Sequence, residues 1–364
     1  MTTTRTSFIA RRALPLSVVS LLLLAPGCDG GLEGEGDANT DPASTRSADT
    51  DGALVASPFI AYSLDSFFRK PLPQTGVPVA SDSATGINYA KTNDPFTYPR
   101  IRGVGGNQWG MGFGIGTCTD PIFKIASSGT VPASQGHLKT VGFHAPQAFI
   151  NSIPNNNDAP IVVIDRCGTS ARPGGLTVWA ANVIASGNIL TSSASGTITA
   201  GSFAHNTNGL DRRNPRTNSQ LNERSRGAIP DAMLIRDDLL AAAEQGANGG
   251  TLGHVLHMFW IETKTASGHV HPMVGDESGK FGYGAEGQRI RVKESWVPPA
   301  LCTGPGRVIA KTLQRYGAYL GDNSGSGSGI KAQQGSTYPG LTQDALAKCV
   351  TWNDFEFLPP GWDP

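Results

Sequence analysis

Four of the chain's seven histidines, His254, His257, His269 and His271, fall inside one stretch, GHVLHMFWIETKTASGHVHP, residues 253–272. Imidazole has its ordinary pKa near neutral pH, so it can accept a proton, pass one on or bind a divalent ion. The spacing limits the choice. Residues 255–262 and 269–273 read as two strands of a hairpin closed by 265–268. In that pairing Glu262 stands opposite His271, while His257 faces a residue near Asp276, roughly 15 Å further along at about 3.3 Å per residue. One metal therefore cannot take all four histidines. Trp260, Glu262, His269 and His271 share a face. Directly opposed side chains lie about 4.5–5.5 Å apart at Cβ, close enough for Glu262 to set an imidazole tautomer. The same spacing lets His269, His271 and one carboxylate hold a divalent ion. The plainer alternative is a solvated Glu–His pair at a hairpin tip. For His257, flanked by Val255 and Phe259, it is a buried histidine with its hydrogen bonds satisfied.

A second chemical signal is DRRNPRTNSQLNERSR, residues 211–226, which sets Arg212, Arg213, Arg216, Arg224 and Arg226 among Asn, Gln and Ser. Guanidinium forks match carboxylates and phosphates two bonds at a time, so the segment suits an acidic polymer such as a uronate-containing polysaccharide. Its alternative is a solvated loop. Asp322 and Asn323 can orient a ligand hydroxyl, or Asn323 can act as a left-handed cap beyond a helix end. GVGGNQWGMGFGIG, residues 103–116, lacks the strand-to-helix context and the Lys-Ser/Thr of a phosphate loop, and reads as turns and bulges around strands.

The elements that must position these residues are mostly short. APIVVID at 159–165, LTVWAANVIA at 176–185, VLHMFWIE at 255–262 and QRIRVKESW at 288–296 are β-branched and aromatic runs between Gly, Asn, Ser and Pro clusters. Such a pattern predicts an all-β domain, mainly antiparallel, a β-sandwich or jelly-roll with two or three peripheral helices. One helix is RDDLLAAAEQG, where Asp237 and Asp238 suit the positive N-terminal end and Gly246 a left-handed stop. Another is residues 304–320, with Pro305 in the first turn and Ile309, Leu313, Tyr316 and Leu320 at helical spacing. A short third helix is expected over 342–349. The domain is expected to run from 57 to 364 as a single unit, with a flexible C-terminal extension from about 324, where SGSGSG begins.

The first residues address the chain. Arg5, Arg11 and Arg12 precede a twelve-residue apolar run, 13–24, too short for a membrane span and right for a signal h-region. It ends in Ala25-Pro26-Gly27-Cys28, which resembles the lipobox of bacterial lipoproteins, in which the cysteine is diacylated. An ordinary secretory signal, with Cys28 incidental, is the alternative. Residues 29–56 are Gly, Asp, Glu, Thr and Ser with few large apolar side chains, and read as a disordered tether. Cys118, Cys167, Cys302 and Cys349 remain, an even number in an exported chain, hence two disulfides with three pairings open. Short loops favour Cys118 with Cys167 and Cys302 with Cys349. No Cys-x-x-Cys spacing suits a structural zinc, and no motif names a cofactor. A net charge of zero supplies no basic field for nucleic acid.

Six segments, SFFRKPLP (66–73), IVVIDR (161–166), AIPDAMLIR (228–236), GHVLH (253–257), QRIRVK (288–293) and LQRYGAYLGDN (313–323), resemble in sequence and order a group of secreted bacterial proteins of uncharacterised activity. The resemblance covers about residues 58–330 and implies one exported, strand-rich domain without naming a reaction. It singles out His257, Arg291, Tyr316, Asp322 and Asn323. Where that pattern has Trp-Pro this chain has His271-Pro272, so a role of His271 would be its own.

These readings favour an exported, surface-anchored monomer that acts on an acidic polysaccharide as a lyase or hydrolase. Its base would be His257 or His271, its acid Tyr316 or Glu262, and its charge neutraliser an arginine such as Arg224. Ligand contacts would come from Arg212, Arg226, Trp260, Arg291, Asp322 and Asn323. The alternative is a non-catalytic module that uses the same residues only to hold glycan or a protein.

Overall fold

The run IVVID is buried at every position, and it sets the layering of the molecule. A strand covered on one face alternates apolar with polar; one covered on both has no polar side to show. In the computed structural model Val162 and Ile164 pack with Phe67, Phe68, Met111, Val255 and Tyr319, while Ile161 and Val163 pack with Phe123, Ile125, Ile198 and Phe203. Sheet therefore lies on both sides of this strand. The structure describes residues 58–62, 64, 66–105, 109–126, 136–153, 160–167, 175–181, 184–185, 196–205, 233–273 and 275–362. Ala53–Pro364 cluster as one compact unit.

The largest sheet has six strands, in the order β1 (Arg100–Val104), β13 (Gly329–Ser336), β10 (Leu256–Trp260), β12 (Ala318–Asn323), β11 (Arg289–Val292) and β14 (Phe355–Phe357). The middle sheet is β2 (Gly112–Gly116), β5 (Ile161–Asp165), β6 (Leu176–Ala181) and β9 (Ser202–His205). The third is β4 (Phe143–His144), β3 (Ile122–Ala126), β8 (Gly196–Thr199) and β7 (Ile184–Ala185). Short helices α2 (Gly136–Thr140) and α3 (Gln147–Ser152) close its core with Leu138 and Ile150. On the far side of the six-stranded sheet, α1 (Ser83–Asn93), α4 (Asp237–Glu244) and α5 (Gly304–Arg315) cover Leu256, Met258, Trp260, Ala318 and Leu320.

The strand-rich expectation holds, but its antiparallel form is corrected. Each sheet is mixed, with β1–β13, β10–β12, β2–β5 and β3–β8 all parallel. Parallel neighbours need a long crossover. From β10 to β12 the chain passes through β11 and α5, which packs Val308, Ile309 and Leu313 into the core. The expected hairpin of 255–262 with 269–273 does not form. β10 lies between β12 and β13, and His269 instead bridges to Glu286.

The two long helices expected from the pattern, α4 and α5, stand where it set them; the eleven-residue α1 lies outside that expectation, and the described residues hold five α-helices against the two or three expected. α4 opens with Asp237 and Asp238, Gly246 beyond it is left-handed at φ 98°, and α5 has Pro305 in its first turn. α5 stops at Arg315 because Gly317 takes φ 72°; Tyr316 caps it and Leu320 belongs to β12. Residues 343–349 are turns and no third helix forms there. The expected flexible extension from about 324 is likewise corrected. β13 and β14 are part of the sheet, and Leu346, Val350, Trp352 and Phe355 are core residues. Residues 324–328 make a tight connection, with Ser324 Oγ donating to the Gly327 carbonyl at 2.6 Å and Ser328 N–H to Asp94 Oδ2 at 2.6 Å.

Cys118–Cys167 and Cys302–Cys349 are disulfides, the pairing short loops favoured. Two such bonds mark an oxidising, extracytoplasmic setting. No helix among the described residues is long and apolar enough to cross a membrane.

Candidate functional site

β10 and β12 run parallel and end together at Trp260 and Asn323. Ligand sites in mixed and parallel sheets gather beyond the carboxyl ends of such strands. Here the excursion of residues 261–288 brings Thr263, Glu277 and Glu286 to Asn323. Asn323 is the hub. Its Oδ1 accepts the Thr263 N–H at 2.6 Å and the Thr263 hydroxyl at 3.0 Å, and its Nδ2 donates to Glu277 Oε2 at 3.1 Å and Glu286 Oε1 at 3.3 Å. Glu286 is fully buried and also accepts the Glu277 N–H at 3.1 Å. Lys280 adds a cation 3.4 Å from Glu277. Asn323 ends a strand and is not a helix cap.

The expected residues are distributed as follows. His269 is half-exposed and sets Nδ1 3.2 Å from Asp276 Oδ1. His271 turns elsewhere, its ring edge-on to Phe67 at 4.4 Å. With no hairpin to align them, the proposed metal pair His269 and His271 is given different neighbours. Among the described residues no three His, Cys, Asp or Glu side chains form a metal-holding group. Glu262 accepts the Tyr89 hydroxyl at 3.1 Å, and burial together with that bond pushes the Tyr89 phenol up to about 12. Asp322 accepts the Asn323 N–H at 2.8 Å.

His257 and Trp260 lie beneath this end, both fully buried. Trp260 packs on Trp352 and Phe357 at 5.7 and 5.3 Å, so it offers no face to a sugar. His257 sits against Gly321, with the Phe259 ring edge-on at 5.5 Å. Tyr316 is at the opposite end of β12, buried, its phenol pushed up by that burial; its carbonyl accepts both Nε and Nη2 of Arg289. Arg291 is buried in an ion pair with Glu356 at 2.7 Å. Arg212, Arg213, Arg216, Arg224, Arg226 and Cys28 lie outside the described residues.

Of the expected residues the cluster holds Asn323 with Asp322; Glu262 bonds Tyr89, His269 pairs with Asp276, and Trp260, although it ends β10 beside Asn323, turns into the core with Trp352 and Phe357. Chemically, it fixes a loop over the strand ends and keeps one carboxylate-oriented imidazole at the surface. Sequence reasoning missed Thr263, Glu277 and Glu286, whose roles depend on a fold-back that no local pattern encodes. It also missed His144 and Asp165. Asp165 is fully buried, accepting His144 N–H at 2.8 Å and the Cys167 N–H at 2.9 Å, with His144 Nδ1 at 3.1 Å. The signal was present: an Asp closing an otherwise apolar, wholly buried strand must find hydrogen bonds or destabilise the fold.

No family model, curated protein or solved structure matches this chain.

Proposed function

We propose that the chain is an exported envelope domain, held to a membrane through lipid on Cys28, that binds an acidic polysaccharide and does not cleave it. The observation that carries the choice of binder over lyase or hydrolase is the burial of the candidate base His257 and acid Tyr316, which are 0% and 9% exposed. Of the other candidates, Glu262 accepts the Tyr89 hydroxyl at 3.1 Å and His271 packs edge-on to Phe67 at 4.4 Å. General acid and base must both reach one bond, within hydrogen-bond distance of the atoms they serve. Side chains sealed in the core do not meet that condition.

Support for export comes from the signal-like N-terminus and the two disulfides. The net neutral, lightly charged composition argues against nucleic acid as the partner. The mature protein is to be incubated with polyuronates and neutral glycans, and binding, reducing ends and the ultraviolet absorbance of unsaturated uronate followed together. Binding without product is the expected result. Product from any bound polymer, lost in His271→Ala, would restore the enzyme reading. Mass spectrometry of the mature N-terminus tests the anchor: a start at any residue other than Cys28 removes it.

A further inference from the structure

We propose that the groove between α1 and β14 is the cleft that takes the acidic glycan. This rests on the binding reading above and gives it a location. β14 is the edge strand of the six-stranded sheet, and α1 lies along it, leaving a groove of about 410 Å³. On α1 the lining residues Ala84, Ile87, Asn88 and Lys91 recur three and four apart, a single stripe about 10 Å long at 1.5 Å per residue. Lys293, just past β11, and Asn353 form the facing wall.

The charges in this groove do not cancel internally. Lys91 is exposed near the last turn of the helix. Lys293 gives one of its three N–H donors to the Asn353 carbonyl at 2.6 Å, which fixes the ammonium on the groove wall and leaves two donors for a ligand. The acidic side chain of the lining, Glu356, is already paired with Arg291 at 2.7 Å. Two ammonium groups on opposite walls, separated by amides that bond hydroxyls and by the apolar Ile87, are complementary to a sugar chain with a carboxylate on successive rings. A neutral glycan would satisfy the amides and leave the cations without partners. Sulfated chains share the anionic chemistry and serve as a separate arm of the test.

The experiment uses the full mature chain and its Lys91→Glu/Lys293→Glu variant, with Lys124→Glu/Lys139→Glu, on β3 and α2, as an equal change of charge elsewhere. Calorimetry would follow binding to polygalacturonate, alginate, dextran sulfate and dextran, with thermal unfolding run on every variant. The expected result is uronate binding that weakens with salt, falls on the order of tenfold or more in the groove variant and is kept in the control variant. Uronate binding unchanged in the groove variant overturns the groove while leaving the binding function intact. Binding to dextran sulfate alone overturns the carboxylate assignment. A wild-type chain that binds none of the polymers overturns both readings. If the groove variant unfolds early, Lys91→Gln and Lys293→Gln tested singly carry the same comparison.

Discussion

Asn323 accepts two hydrogen bonds from one residue, Thr263, sixty positions earlier in the chain: the backbone N–H at 2.6 Å and the hydroxyl at 3.0 Å. With its amide nitrogen on Glu277 and Glu286, this side chain ties the end of β12 to the excursion that covers it. Asn323→Ala strands buried groups and should cost about 1–3 kcal/mol in denaturant unfolding. Asn323→Asp keeps an acceptor but sets a third carboxylate beside two others. It should be the more damaging variant at mildly alkaline pH and approach Asn323→Ala as the carboxylates protonate. Equal losses at both pH values would refute the electrostatic part of this account.

Gly321 lies where the β10–β12 register shifts between Met258 and Phe259, and a Cβ there would overlap the His257 ring. The ring is fully buried on a central strand and has little room to move. Gly321→Ala should therefore destabilise by about 1–3 kcal/mol, as overpacking does. Removing the ring as well, in Gly321→Ala/His257→Ala, should recover part of that loss, and the double-mutant cycle reads the coupling. Strict additivity would show that the two do not touch.

His254 gives the fold an acid sensitivity. Burial, with lesser contributions from Arg236 and Arg69, pushes its imidazole from 6.5 down to about 4. Above 6.5 the residue is neutral in both folded and unfolded chains. Between 6.5 and about 4 only the unfolded chain takes up the proton, so stability falls as pH falls through that window, by about 3 kcal/mol at most. His254→Gln should be less stable at neutral pH and lose less on acidification. Parallel stability–pH curves for the two proteins would rule His254 out as the source.

The Cys302–Cys349 bond closes a separation of 47 residues and holds the C-terminal segment against α5. The Trp296 indole N–H donates to the Cys349 carbonyl at 3.0 Å on the same side. Loop-closure entropy puts the contribution of such a bond at about 4 kcal/mol. Cys302→Ser/Cys349→Ser should lower the unfolding midpoint accordingly, with tryptophan fluorescence reporting the loss. A midpoint unchanged from that of the oxidised wild type would show the segment to be held by packing alone.

What the sequence by itself determined is local or one-dimensional. Composition and Gly/Pro spacing marked short strands; Asp237, Asp238, Gly246 and Pro305 marked α4 and α5, though nothing marked α1; cysteine parity and short loops marked both disulfides. These follow from backbone propensity, helix-end electrostatics and loop entropy, each readable within a few residues or along a single separation. Tertiary structure decided the rest. Whether β10 pairs with the segment after it or with β12, sixty residues on, depends on which apolar faces meet, and a strand's alternation is the same for either neighbour. That choice undid the His269–His271 hairpin, buried Trp260 against Trp352 and made Asn323 a clamp. It also drew residues 324–358, whose opening SGSGSG reads as a linker, into the six-stranded sheet and its core, because Trp352, Phe355 and Phe357 complete a core that α5 and β11 leave open. The groove of α1 and β14 joins residues more than two hundred positions apart, a proximity set by packing and carried by no pattern in the chain.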